Sequence, residues 1–92
     1  MDRLSNIEIE NALAALSGWN YDAPFIEKKF IFKDHKYAFS FIAKVALIAE
    51  KLNHHPNWSG VYNEVVIKLS THDVAGVTNK DIDFAKEIEN SL

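Results

Sequence analysis

The sequence predicts an α+β domain in which a four-stranded antiparallel sheet packs three helices on one face. Hydrophobic periodicity changes along the 92 residues in the order helix, strand, strand, helix, strand, strand, helix. The last two strand segments are separated by two residues, as in an antiparallel hairpin. Hydrophobic residues make up 48% and charged residues 25% of the chain, which fits one globular domain over residues 1–92.

The first helix is predicted over residues 6–17. Ser5 followed by Glu8 is a capping-box pattern, in which each side chain accepts a hydrogen bond from the backbone amide of the other residue. Apolar residues then recur at helical spacing. Gly18 predicts the end of the helix, because glycine readily takes the left-handed conformation of a C-terminal cap.

Two strands are predicted next. Residues 19–21 form a short extended candidate, and the turn sequence at residues 22–24 leads into a strand over residues 25–32. By the two-residue repeat of a strand, one face of the longer strand carries Ile26, Lys28, Phe30 and Phe32.

The longest helix is predicted over residues 35–53, with Asp34 as its N-cap. Its wide apolar stripe comprises Ala38, Phe41, Ile42, Val45, Ile48, Ala49 and Leu52. A second, smaller stripe comprises Phe39, Ala43, Ala46 and Leu47. In so small a domain, a helix that is apolar on two sides favours a contact with another subunit.

Pro56 ends this helical region, because proline lacks an amide hydrogen and restricts the preceding residue. Strands are predicted over residues 58–62 and 65–71, with residues 63–64 as the connecting turn. In the second of these strands Val65, Ile67 and Leu69 point one way, and Val66, Lys68 and Ser70 point the other.

The last helix is predicted over residues 79–91, after a loop at residues 72–76. Thr78 and Asp81 repeat the capping-box pattern at its start.

Composition excludes several classes of function. Ten basic and thirteen acidic residues give a net charge of −3, which argues against a charge-based nucleic-acid surface. The chain has no cysteine, so disulfides and thiolate metal sites are excluded. The N-terminus lacks the build of a signal peptide, and Ser40 and Lys44 interrupt the longest apolar stretch. We therefore expect a cytoplasmic protein with no membrane partner.

Three of the four histidines lie at the ends of predicted elements. His54 and His55 follow the long helix, and His72 follows the last strand. Glu50 precedes His54 by one helical turn, which predicts that the two side chains share a face. Element ends that meet at one edge of a sheet are common positions for reactive groups.

The pattern alone leaves four interpretations of these residues open. The histidines could cap the helix and occupy a turn, or Glu50, His54 and His72 could form a metal site. Imidazole titrates near neutral pH, so two histidines could instead perform metal-free acid/base catalysis. The fourth interpretation is a pure binding module.

Three further residues have a structural and a functional interpretation. Trp58 could belong to the core or form a flat wall against a planar heterocycle. Ser70 and Thr71 could be ordinary polar residues at a strand end or could bind the edge of such a ring.

A family resemblance covers essentially the whole chain. EKLNHHPNW at residues 50–58, followed by VYNEVVIKLSTHDVAGVTNKD, resembles the pterin-4a-carbinolamine dehydratase family, also called the dimerisation cofactor of homeodomain transcription factor family. The elements of the family motif occur here as Glu50, His54, His55, Pro56, Tyr62, His72 and Asp81. The chain departs from the family at Asn53, where many members have Asp.

The resemblance implies that the protein is a hydro-lyase that dehydrates 4a-hydroxytetrahydropterin to quinonoid dihydropterin, in recycling of the cofactor of aromatic amino-acid hydroxylases. The pterin is then the substrate, and no cofactor or metal is expected. The family assembles as dimers through sheet edges and often as tetramers through the long helix, so a homodimer or homotetramer is expected. Some relatives act as non-catalytic partners of other proteins, which is the alternative function.

The resemblance also implies roles for individual residues. His54 and His72 would be the acid/base pair, and His55 would bind substrate and share the proton transfer. Glu50 would orient His54, and Trp58 would wall the pterin.

The remaining motif positions would contact the edge of the ring or support the fold. The strand end at Ser70 and Thr71 would bind the edge of the pterin. Asp81 belongs to the motif, although its position predicts chiefly a helix cap.

Overall fold

The predicted elements form in the predicted order, and the α+β class is confirmed. The computed structural model describes residues 2–92. The elements are α1 (Asn6–Leu13), β1 (Asn20–Asp22), β2 (Phe25–Ile31), α2 (His35–Leu52), β3 (Asn57–Val61), β4 (Glu64–Leu69) and α3 (Asn79–Asn90). A short 3₁₀ turn, His72–Val74, connects β4 to α3.

All strand pairs of the sheet are antiparallel, in the order β1-β2-β4-β3. The register aligns Glu27 with Lys68 and Lys68 with Asn57 across three strands. One step along, Ile67 pairs with Trp58. Since successive residues of a strand face opposite sides, these two rows lie on opposite faces of the sheet. Strand β3 is an edge strand, and each of its residues is exposed.

One face of the sheet packs against the helices and the other stays open. The packed face contributes the buried side chains of Ile26, Phe30, Val65, Ile67 and Leu69. Against them pack the buried residues of the helices, chiefly Ile9, Phe41, Val45, Ile48, Ile82, Phe84 and Ile88. Each such side chain contributes roughly 1.5–3 kcal/mol by leaving water. The opposite face, which we call the outer face, carries partly or fully exposed residues that include Glu27, Lys29 and Lys68.

The predicted N-terminal helix caps are confirmed. Ser5 and Glu8 form a reciprocal capping box at α1. The hydrogen bond from the Ser5 amide to the Glu8 carboxylate lowers the pKa of Glu8 below its ordinary value. The Asp34 carboxylate accepts a hydrogen bond from the Tyr37 amide at 3.0 Å, which caps α2.

Some predicted boundaries differ from the structure. Helix α1 ends at Leu13 and not at residue 17 as predicted. A series of turns begins at the next residue, four residues before Gly18. The hairpin turn is one residue earlier than predicted, since Glu64 already pairs with Val61. Tyr62 takes the left-handed conformation there, with φ 53°.

Asn63 explains where the hairpin turn forms. The side-chain amide of Asn63 donates to the Phe32 backbone carbonyl at 2.9 Å. The backbone carbonyl of Asn63 accepts from the Phe32 backbone amide at 2.8 Å. Both hydrogen bonds fix the turn against the end of β2. Among residues 2–92, no helix is both long enough and apolar enough to cross a membrane.

Candidate active site

An open cleft of about 310 Å³ lies on the outer face of the sheet, where β2 begins and β4 ends. Its lining residues are Pro24, Phe25, His55, Asn57, Lys68, Ser70, His72 and Ala75. The volume is at the lower end of the range for small-molecule sites. Two of the three predicted histidines, His55 and His72, therefore share one cavity.

The alternation of β4 explains which residues reach this cleft. Lys68 and Ser70 face outward, whereas Leu69 and Thr71 face the core and are buried. His72 begins the 3₁₀ turn immediately after β4 and is exposed. The turn is closed by the Thr71 amide, which donates to the Gly76 carbonyl at 2.8 Å. Ser70 and His72 therefore reach the cleft from a turn whose backbone is held by hydrogen bonds.

The end of α2 sets the positions of the two adjacent histidines. Asn53, where the chain departs from the family pattern, ends the helix in the left-handed conformation with φ 50°. Asparagine tolerates this conformation better than most residues. The His54 amide then donates to the Ala49 carbonyl at 3.0 Å. The chain leaves the helix at this point, and only His55 of the pair reaches the cleft.

His54 instead belongs to a buried polar network beneath the cleft. Its Nε2 atom lies 2.5 Å from Asp81 Oδ1, and the exposed fractions of the two side chains are 10% and 0%. The second carboxylate oxygen, Oδ2, accepts from the Thr71 hydroxyl and from the Thr78 amide, each at 2.9 Å. The His54 ring also faces Phe84, with the ring centroids 6.2 Å apart.

The hydrogens of this network can be assigned by counting donors. The hydroxyl of Thr71 has one hydrogen, which it donates to Asp81. The contact of 2.7 Å between the Thr71 and Thr78 hydroxyls is therefore donated by Thr78. An ionised carboxylate has no hydrogen to donate, so Nε2 of His54 is the donor when it pairs with Asp81 in that form. The ring nitrogen Nδ1 of His54 is then the one that can exchange a proton with another group.

Glu50 and Trp58 lie in a second cavity, a groove between α2 and β3. The groove has a volume of about 220 Å³ and is lined by Ile42, Val45, Ala46, Ala49, Glu50, His55, Pro56, Trp58 and Ile67. Trp58 is 54% exposed, so it belongs to the surface of the groove rather than to the core. His55 lines both the groove and the cleft and is the residue that joins them.

The structure corrects two expectations about supporting residues. Glu50 was expected to orient His54, but Asp81 is the carboxylate bonded to His54. Glu50 Oε1 lies 3.9 Å from His55 Nε2, and both of these side chains are exposed. The cause is the left-handed turn after the helix, which removes His54 from the helical i,i+4 position.

Thr71 is the second correction. The strand end at Ser70 and Thr71 was expected to bind the edge of the substrate, but the Thr71 hydroxyl is buried and bonded to Thr78 and Asp81. Neighbouring residues of an extended strand point in opposite directions, so the two hydroxyls cannot serve the same cavity.

The alternative metal site is not assembled. Among residues 2–92, no three His, Asp or Glu side chains converge in a way that could hold a metal ion. Glu50, His54 and His72 lie instead in the groove, the buried network and the cleft, respectively.

Sequence reasoning did not select several cleft residues as site residues. These are Pro24, Phe25, Asn57, Lys68 and Ala75. For Lys68 a signal was available, because strand alternation already placed it on the same face as Ser70. For Phe25 and Asn57 the strand pairing had to be known.

Comparison with known proteins finds one family across nearly the whole chain. The sequence profile of the family described as "Pterin 4 alpha carbinolamine dehydratase" matches residues 2–91. A Prochlorococcus marinus (strain MIT 9515) protein named "Putative pterin-4-alpha-carbinolamine dehydratase" is 51% identical over 85 residues, which cover 92% of this chain and 88% of that protein. A protein of the same name from Sulfurisphaera tokodaii is 41% identical over 92 residues, covering 100% of this chain and 99% of its own.

A solved structure is also similar. The crystal structure of a transcriptional coactivator/pterin dehydratase from Brucella melitensis superposes with a TM-score of 0.93 at 44% sequence identity and covers 97% of each chain. The match of the family profile to nearly every residue, together with these relatives, establishes the family. The chain belongs to the pterin 4 alpha carbinolamine dehydratase family.

Proposed function

We propose that this protein dehydrates a 4a-hydroxytetrahydropterin to the quinonoid dihydropterin and water. The observation that carries the proposal is the cleft that His55 and His72 both line, in a chain of this family. The names of the relatives support the same activity. The reaction needs groups that move protons, and imidazoles suit that task near neutral pH.

The chemistry divides into two proton transfers and one bond cleavage. The lone pair of a ring nitrogen forms a C=N bond to carbon 4a as the C–O bond breaks. An imidazolium donates a proton to the departing hydroxyl, which leaves as water. An imidazole accepts the proton that the ring nitrogen loses. Each positioned acid or base contributes roughly 10²–10⁴-fold to the rate.

In this proposal His55 and His72 contact the substrate, and Ser70 binds its edge. His54 retains the proton-transfer role that the family resemblance gives it, acting through Nδ1 while Asp81 fixes the ring through Nε2. Trp58 and Glu50 border the substrate from the adjoining groove. The pterin is the substrate, and the proposal includes no cofactor.

We also propose that the protein acts in the cytoplasm as a homodimer or homotetramer and serves an aromatic amino-acid hydroxylase. The exposed edge strand β3 supports self-association through the sheet. On α2, Phe39 and Leu47 are 64% and 72% exposed, which supports a contact through this helix.

The test is a direct assay of dehydration. An aromatic hydroxylase generates 4a-hydroxytetrahydropterin, and its absorbance decay is followed with and without the protein. We expect a clear acceleration over the spontaneous reaction, and its absence would refute the proposal. Variants His55→Gln, His72→Gln and His54→Gln, each checked for folding, distinguish the roles of the three histidines. A His54→Ala/His72→Ala double variant that stays folded and keeps the full rate would refute the assignment of that pair.

A second candidate function is non-catalytic binding of another protein. The exposed side chains of Trp58, Val61 and Tyr62 at the β3 edge favour it, because apolar side chains gathered at an edge strand suit protein contacts. A stable partner recovered in a pull-down, together with no dehydration, would favour this function. Retention of all three histidines favours the enzyme.

A further inference from the structure

Lys68 gives the candidate cleft a positive character that the acid/base chemistry does not use. It lines the cleft together with His55 and His72. Among the described residues, none of those lining the cleft is Asp or Glu. The wall around the proposed substrate is therefore basic, although the chain as a whole carries a net charge of −3.

The Lys68 ammonium group forms one ion pair, with Glu27, which is long and partly exposed. Its nearest carboxylate oxygen, Glu27 Oε2, is 3.6 Å away, which is longer than a hydrogen bond. By contrast, Lys29 on the same face holds Glu64 at 2.9 Å. The Lys68 side chain is 43% exposed, and its Nζ lies 5.8 Å from the ring centroid of Phe25, another cleft residue.

The position of Lys68 along β4 separates it from the proton-transfer groups. Two residues of extended chain place it about 6.6 Å from Ser70 along the strand, and His72 lies further on. A pterin whose reacting carbon lies at the histidines and whose substituent follows β4 would bring that substituent toward Lys68.

We propose that Lys68 is a specificity-determining residue that selects pterins with an anionic substituent, either a carboxylate or a phosphate. The proposal rests on the proposed function and deepens it, because it names the substrate class. An anionic group would replace Glu27 as the partner of Lys68 and would form a charge-assisted hydrogen bond. A neutral hydroxyalkyl substituent would gain no such contact.

The test compares the binding of three stable oxidised pterins by isothermal titration calorimetry at low ionic strength. The probes are pterin-6-carboxylate, the phosphate ester of 6-hydroxymethylpterin, and neutral 6-hydroxymethylpterin. We expect the unmodified protein to bind at least one anionic probe about fivefold more tightly than the neutral probe, the effect of one partly exposed ion pair. The preference should shrink in high salt, which screens such pairs.

Three variants make the test specific. Lys68→Gln should abolish the preference by lowering the affinity for the anionic probe to that for the neutral probe. Glu27→Gln should raise the affinity for the anionic probe, because it removes the competing carboxylate. Lys29→Gln is the matched control, since it removes one positive charge from the same face outside the cleft, and it should preserve the preference.

Three outcomes would overturn the inference. Equal binding of all three probes by the unmodified protein would refute the selectivity while leaving the dehydratase proposal intact. An equal loss in the Lys29→Gln variant would show a general effect of charge. If none of the three probes binds, the inference fails, and the dehydration assay decides the proposed function separately. Preference for the carboxylate over the phosphate, or the reverse, identifies which anionic group Lys68 selects.

Discussion

Removal of the Asp81 carboxylate should destabilise this protein more than almost any other single change of a charged residue. Asp81 is completely buried and accepts hydrogen bonds from the His54 ring, the Thr71 hydroxyl and the Thr78 amide. An Asp81→Ala variant leaves these three donors without an acceptor. The last of them also belongs to the capping box of α3, so the start of that helix is weakened as well.

The magnitude follows from the contacts. Hydrogen bonds to a charged group contribute about 1.5–3 kcal/mol each, but bonds that share one acceptor are not additive. Loss of one partner of a buried pair costs about 3–5 kcal/mol, and we expect Asp81→Ala to fall in this range. Since small domains have a total stability of roughly 5–15 kcal/mol, the variant should be close to unfolding at 37 °C. Asp81→Asn keeps the shape and one acceptor oxygen, so it should cost less, about 1–3 kcal/mol.

Urea unfolding followed by far-UV circular dichroism and tryptophan fluorescence measures the loss. Asp83→Ala is the matched control, because Asp83 lies in the same helix but is exposed, and its replacement should change the free energy of unfolding by no more than about 0.5 kcal/mol. An Asp81→Ala variant that loses less than about 1 kcal/mol with an unchanged m-value would refute the reasoning. The buried network would then contribute little to stability.

Three further predictions concern other parts of the molecule. Lys28→Met should lower the free energy of unfolding in urea by about 1–3 kcal/mol, because the Lys28 side chain is only 17% exposed and donates to Glu89. Lys51→Met, which removes the exposed pair with Glu87, should lower it by less than about 1 kcal/mol. Equal losses in the two variants would contradict this reasoning. His72→Gln should lower the dehydration rate by roughly 10²–10⁴-fold with the free energy of unfolding nearly unchanged, and an unaltered rate would exclude His72 as acid or base. The pKa of Glu8 is lowered in the folded state, so its contribution to stability is present above the ordinary value of 4.5 and is lost as the pH falls through the lower folded pKa. Unfolding measured against pH should therefore show a weaker loss in acid for Glu8→Gln, and identical acid profiles would contradict the capping interaction.

Local features of this protein were predictable from its sequence. The capping boxes at Ser5 and Thr78 and the N-cap at Asp34 depend on contacts within three residues, so the residue types suffice. The face that each residue of β4 occupies follows from the repeat of an extended chain. The family could be inferred from the motif around the histidines for the same reason, because such a motif consists of residue types at fixed spacings.

The division of the site among two cavities and a buried network was decided by tertiary structure. Asp81 reaches His54 across 27 residues of sequence, and no local rule connects them. The i,i+4 spacing favoured Glu50 instead, and it failed because a single left-handed residue, Asn53, ends the helix before His54. Lys68 became a cleft residue only when β4 paired with β2 and β3, which aligned it with Glu27 and Asn57. The sequence thus determined which side chains have the right chemistry, and the packing of α3 and the sheet determined which of them share a cavity, because that depends on long-range contacts.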